Sequence, residues 1–245
     1  MCIYRFAGLD VRIESVFDAV HRLCQEYRSD GVPRFSVRTA EGDIALERDK
    51  AAAADLKAGR EVVPWPDDYL ETLAIYRKIA ERLPDYDALL IHGSCICVDG
   101  DGYLFAAKSG TGKSTHARLW RELLGGRAAM VNDDKPMLRM TGNVAVAYGT
   151  PWDGKHHLSG NIAAPLKAIC FLEQSPENHI REIAPSEALP ALLGQVYRPA
   201  DAAAMARTLN LVDRLAGCVK LYRLGCNMNI EAAQLAYETM RGVTI

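Results

Sequence analysis

The stretch Ala107-Lys108-Ser109-Gly110-Thr111-Gly112-Lys113-Ser114 follows the apolar run Tyr103-Leu104-Phe105-Ala106 and opens onto a segment with Leu119 and Leu123 at helical spacing. A strand, a glycine-rich turn and a helix in that order make a phosphate loop. Gly110 and Gly112 accept φ > 0 without penalty, so successive N–H groups can point inward. The amino end of the helix adds a partial positive charge. The residues expected to bind the nucleotide are Ser109, Gly110, Thr111, Gly112, Lys113, Ser114 and Thr115. Lys113 is placed to reach the β and γ phosphates and Ser114 to ligate Mg²⁺. The pattern usually begins with glycine, and here Ala107 stands in that position.

Downstream, Ala128-Ala129-Met130-Val131-Asn132 reads as an apolar strand ending in Asp133-Asp134. Only twenty residues separate Lys113 from Asp133, room for one helix and a tight return. The acidic strand is therefore expected to neighbour the loop strand, its carboxylates beside the phosphates. One carboxylate can hold Mg²⁺ and the other can take a proton from an attacking hydroxyl, with Asp133 expected as the base and Asp134 at the metal. Upstream, Ala88-Leu89-Leu90-Ile91 and Cys95-Ile96-Cys97-Val98 read as one strand that continues past His92. If Asp99 to Gly102 is a four-residue turn, Val98 pairs with Tyr103 and His92 falls opposite Ser109. There it could donate to a γ phosphate or assist proton transfer.

A polar and aromatic loop, Tyr148-Gly149-Thr150-Pro151-Trp152-Asp153-Gly154-Lys155-His156-His157, follows another strand. Function collects on such loops. Asp153 is a candidate third carboxylate for metal or substrate. Lys155 and His156, with His157 beside them, are candidates to meet an anionic substrate or phosphate. Gly149 and Gly154 are expected to let the segment flex and close over bound nucleotide.

The rest of the chain is organised around this core. Residues 1 to about 80 read as a small α/β unit: two short extended runs around Gly8-Leu9-Asp10, a helix through Val16, Val20, Leu23 and Tyr27 capped by Ser15, and a hairpin. Its strands would be Arg34–Arg38 and Asp43–Glu47, turning at Glu41-Gly42. Val63-Pro64-Trp65-Pro66 is stiff punctuation and the candidate linker start, with an amphipathic helix from Tyr69 to Leu83 after it. Residues 85–245 then form the nucleotide-binding domain. Beyond the acidic pair it is expected to hold a hairpin at 137–147, strands near 167–173, 179–183 and 218–224, and helices near 186–195, 200–215 and 230–241.

Composition narrows the class. A chain of 245 residues allows one large domain or a core with an appendage, since a domain takes roughly 150 residues. Hydrophobic residues at 49% and charged residues at 24% exclude disorder. No apolar run approaches the ~20 residues of a membrane span. The 29 basic and 31 acidic residues leave a net charge of −2, without the basic excess of a nucleic-acid binder. Seven cysteines, an odd number, argue against a disulfide framework and for a reducing cytoplasm. Cys95 and Cys97 have no second pair at zinc-ligand spacing and read as thiols on one strand face.

His92, the loop Ser109–Ser114 and the Asp133-Asp134 pair at short spacing together resemble the HPr kinase/phosphorylase family, whose nucleotide-binding core is shared with the ATP-dependent phosphoenolpyruvate carboxykinases. The histidine stands fifteen residues before Ala107, and an acidic pair ends the strand after the loop helix. The likeness extends over about residues 87–175. It implies an α/β fold with a P-loop core like the HPr kinase C-terminal domain, to which residues 1 to about 80 add the small N-terminal α/β subdomain read above. It also implies ATP and Mg²⁺ as cofactors, Lys113 on phosphate, Ser114 on Mg²⁺, and Asp133 and Asp134 sharing base and metal roles. The expected activity is transfer of the γ-phosphoryl group to a hydroxyl acceptor on a protein, a peptide or a small molecule. A nucleotide-binding regulatory module and an ATPase are the alternatives. Neither nucleic acid nor membrane is expected as a partner, and the choice between monomer and homo-oligomer stays open.

Overall fold

Apolar residues alternating with period two at the amino end build a sheet with one buried face. The computed structural model describes residues 2–243 and divides into two compact units, one ending at Arg82 and the other beginning at Leu83. In the first, β1 (Cys2–Phe6) and β2 (Leu9–Glu14) pair antiparallel, with Tyr4 opposite Val11. A short helix, α1 (Ala19–Leu23), leads to β3 (Phe35–Arg38), which lies parallel to β2. Tyr4, Phe6, Val11, Ile13, Phe35 and Val37 are all buried. Helices α2 (Glu41–Lys57) and α3 (Asp67–Arg82) complete the unit, α3 burying Leu70, Ile75 and Ile79.

Two expectations fail in this unit. The helix expected from Ser15 starts later, because the Val16 and Phe17 amides donate to the buried carboxylate of Glu71 at 2.6 and 2.8 Å, and the Ser15 hydroxyl donates to Phe17 O instead of capping. The hairpin at Glu41-Gly42 does not form. Phe35–Arg38 is a strand, but Asp43–Glu47 lies inside α2. The Asp43 carboxylate accepts from the Ala40 N–H at 2.9 Å, an amino-terminal cap, and the Ala-, Leu-, Glu- and Lys-rich run behind it favours helix.

The second unit runs β4 (Ala88–Leu90), β5 (Ser94–Val98), β6 (Asp101–Ala106), α4 (Lys113–Leu124), β7 (Ala128–Asn132), β8 (Met137–Thr141), β9 (Val144–Tyr148), β10 (Ala163–Gln174), β11 (His179–Glu182), α5 (Pro185–Gln195), α6 (Ala202–Cys218), β12 (Lys220–Cys226) and α7 (Ile230–Arg241). Among the described residues nine strands make one mixed sheet, ordered β4-β8-β9-β10-β6-β5-β7, with β12 on β10 and β11 on β12. β10 changes partners along its length. Ala163–Pro165 pair antiparallel with β9, and the rest lies parallel to β6 and β12. The carboxyl ends of β6, β10 and β12 thus share one edge.

Period-two alternation sends neighbouring side chains to opposite faces. Leu104 and Ala106 join Ile169, Leu192, Val212 and Leu215 on the α5–α6 face. Tyr103 and Phe105 join Trp120, Ala233 and Tyr237 on the α4–α7 face. The Trp120 ring lies 5.2 Å from both Tyr103 and Phe105, which locks α4, and with it the glycine-rich loop, onto β6. Helices cover both faces of this mixed α/β sheet.

The strand expected to run from Ala88 through Val98 is two strands in different parts of the sheet. β4 pairs with β8, whereas β5 pairs with β6 and β7. The break falls at His92-Gly93, whose N–H groups donate to Gln195 O and Asp134 O. The turn after β5 has two residues, not four. Asp99 and Gly100 both have positive φ, 51° and 89°, so Val98 pairs with Asp101 and the register moves by two. Finally, β7 does not neighbour β6, because β5 lies between them and is antiparallel to both. No helix among the described residues is long and apolar enough to cross a membrane.

Candidate functional site

The loop after β6 turns through Gly110 and Gly112, with φ of 81° and 119°, so the backbone itself selects glycine there. Ala107 has no positive φ, and alanine fits where the pattern usually has glycine. Gly112 precedes the first turn of α4, which carries no side-chain cap and no acidic residue. The amino end of α4 thus keeps unpaired N–H groups and the positive end of the helix dipole. Lys113 is buried, and its Nζ donates to Ala107 O at 3.0 Å and Lys108 O at 3.4 Å. Burial lowers its pKa, and the charge of Asp134 opposes that.

Asp133 and Asp134 follow β7 in a turn organised by Asn132, which is fully buried. Asn132 Oδ1 accepts from the N–H groups of Asp134 at 2.8 Å and Lys135 at 2.6 Å, and its Nδ2 donates to Thr150 O at 2.9 Å. Thr150 in turn donates its hydroxyl to Lys135 O at 2.8 Å. This closed network fixes where both carboxylates point. Asp133 Oδ1 accepts from the hydroxyl of Ser94, the first residue of β5, which lies between β6 and β7. Asp134 Oδ1 meets Lys135 Nζ at 3.0 Å and His92 Nε2 at 3.5 Å. The intervening strand therefore keeps the acids near the loop by supplying a positioning hydroxyl.

His92, Ser109, Gly110, Gly112, Lys113, Ser114, Thr115, Asp133, Asp134, Lys155 and His156 all line one cleft of about 450 Å³. His92 has a pKa pushed down to about 4, by burial first and then by the charges of Lys135 and Lys113, so it is neutral at pH 7. Two further depressions of about 690 and 490 Å³ open beside the same loop, one toward α5 and one toward the Asn227-Met228 end of β12.

The structure does not bring Asp153 into this cleft. Its carboxylate faces its own loop, where it accepts from the Ser159 hydroxyl at 2.9 Å and lies 3.2 Å from His157 Nδ1. Gly149 is packed against neighbouring backbone. A Cβ there would stand 1.8 Å from Gly160 O and 2.7 Å from Val131 O, so glycine is required by close backbone approach. Gly149→Ala should therefore destabilise the fold by about 1–3 kcal/mol or more, the cost of overpacking, read as a lowered denaturation midpoint. An unchanged midpoint would show that this segment is not packed against β7.

Reading the sequence missed four residues here: Ser94, Asn132, Lys135 and Gln195. Asn132 and Lys135 flank the acidic pair and Ser94 lies two after His92, so proximity to the motifs was a usable signal. Gln195, at the far end of α5, carries none.

A parallel strand, a glycine-rich loop leading into a helix and two acids beside it share one cleft of a mixed α/β protein. The model of the family ScmC, described as SynChlorMet cassette protein ScmC, matches residues 61–200, more than half of the chain, and the chain belongs to that family. The matched residues include every residue that lines the cleft. Among solved structures, the Hpr(Ser) kinase/phosphatase from Coxiella burnetii is similar at 11% identity and a TM-score of 0.37, covering 62% of this chain and 97% of its own. No curated protein matches the chain.

Proposed function

We propose that this chain is an ATP-dependent kinase that transfers the γ-phosphoryl group to a hydroxyl acceptor on a protein, a peptide or a small molecule. The observation that carries the reading is the shared cleft: an uncapped helix start, Lys113, Ser114 and two carboxylates within one 450 Å³ space. Lys113 and the first amides of α4 bind the phosphates. The donors available for a cation are the Ser114 hydroxyl and carboxylate oxygens, a hard oxygen set that suits Mg²⁺. Asp134 and Ser114 would hold it. When bound, Mg²⁺ neutralises phosphate charge as it develops.

Asp133 is the base. Ser94 holds one of its oxygens, which turns the carboxylate and leaves the other for the acceptor hydroxyl. A base oriented in this way favours turnover over a nucleotide-binding module without chemistry. Neutral His92 orients Asp134 and does not supply positive charge. Lys155 and His156, exposed at the rim, meet the acceptor. ATP labelled at the γ position tests the reading by product analysis. Label on an acceptor supports it, release only as inorganic phosphate makes the chain an ATPase, and no release leaves a binding module.

Lys155→Ala should spare ATP affinity and raise the acceptor KM about tenfold, the worth of one charge-assisted contact. Asp153→Ala, by contrast, should lower the melting temperature, because Asp153 holds its own loop together. Acceptor kinetics and thermal melting on the two variants check both halves. A normal acceptor KM for Lys155→Ala would remove the rim from substrate binding.

A further inference from the structure

His92 is held from two sides. On one, Nε2 lies 3.5 Å from Asp134 Oδ1, longer than a good hydrogen bond but within electrostatic reach. On the other stands Gln195, the last residue of α5. The chain beyond α5 runs along the end of β4: His92 N–H donates to Gln195 O at 2.8 Å, Tyr197 N–H donates to Leu90 O at 2.8 Å, and Ile91 bridges Val196. These contacts fix the Gln195 backbone, and its side chain faces three groups. They are Ala107 O at 3.1 Å and the carbonyl oxygen and Nδ1 of His92, both at 3.3 Å.

Two of those groups are carbonyls, which only accept. The amide must therefore turn its nitrogen, not its oxygen, toward them. An amide nitrogen has no lone pair to offer, so an Nδ1–H pointing at it would find no acceptor. Nδ1 is then the bare nitrogen of a neutral ring, and the ring proton sits on Nε2.

We propose that Gln195 is a positioning residue that sets the tautomer of His92, keeping Nδ1 unprotonated and presenting Nε2–H to Asp134. The same amide ties the first residue of the phosphate loop, Ala107, to that histidine. His92 is thereby a hydrogen-bond donor aimed at Asp134 and has no free lone pair with which to take a proton in the cleft. The catalytic consequence rests on the kinase reading; the tautomer itself does not.

The test is long-range ¹H–¹⁵N NMR on the full chain labelled with ¹⁵N-histidine, without nucleotide, with His92 assigned by the signal missing from His92→Gln. The parent should show a bare, pyridine-type Nδ1 and a protonated Nε2. Gln195→Met removes the donor and should move both nitrogens toward averaged values as tautomers mix. Gln195→Glu supplies an acceptor and should shift the proton toward Nδ1. A protonated Nδ1 in the parent overturns the proposal, as does a bare Nδ1 that persists unchanged in either folded variant. If transfer activity exists, Gln195→Met should lower kcat about 10–100-fold, as loss of an outer-shell partner does, while the KM for ATP stays within about twofold. Absence of any transfer in the parent would count against the kinase reading alone, since the tautomer is read independently.

Discussion

Lys113→Ala should abolish phosphoryl transfer and weaken Mg·ATP binding by about 10²-fold or more. The side chain is buried at the start of α4, with its ammonium within hydrogen-bond reach of two loop carbonyls. A phosphate group in the loop would offer that ammonium negative oxygens, and charge-assisted hydrogen bonds contribute about 1.5–3 kcal/mol each. Removing two such bonds corresponds to at least that factor in affinity. The surrounding loop should survive, because its shape comes from Gly110, Gly112 and the packing of Trp120, none of which needs the lysine. Calorimetry on the variant reads the weakened binding directly. A variant that binds Mg·ATP as tightly as the parent would mean that the phosphates bind elsewhere.

Asp133→Asn and Asp134→Asn should fail differently. Asp133 is buried and fixed by Ser94, so its loss as a base should lower kcat by about 10²–10⁴ with ATP affinity nearly intact. Asp134 sits between Lys135 and His92 and, as a metal ligand, should show its loss as a raised Mg²⁺ requirement. Steady-state rates over a Mg²⁺ series separate the two. Identical behaviour, with parental rates and parental Mg²⁺ dependence, would take the pair out of the mechanism.

The parts of the cleft that follow from local sequence were legible. Gly110, Gly112 and Lys113 specify their own turn, and the apolar runs before and after them specify strand and helix. Placement beyond one turn was harder. The Asp99-Gly100-Asp101-Gly102 run offers two overlapping turns, and only the pairing of Val98 with Asp101 decides that the first is used. Asp43–Glu47 alternates like a strand, yet also fits one helical turn, and the Asp43 cap settles the choice. That β5 would lie between β6 and β7 is a matter of sheet order, which no local pattern encodes. Asp153 was a candidate metal or substrate carboxylate because of its neighbours, but its carboxylate is held by Ser159 and His157. Gln195 was invisible because its role depends on the chain after α5 returning to β4.

A titration of the ¹⁵N-labelled chain with Mg·ATP, followed through its backbone amide shifts, reads out the nucleotide site. The amides of Ser109, Gly110 and Gly112 to Thr115, with those of His92 and Asp134, should move together and saturate at one common concentration, because they line one cleft. Saturable shifts confined to other parts of the chain, or none at all, would contradict the assignment of this cleft as the nucleotide site.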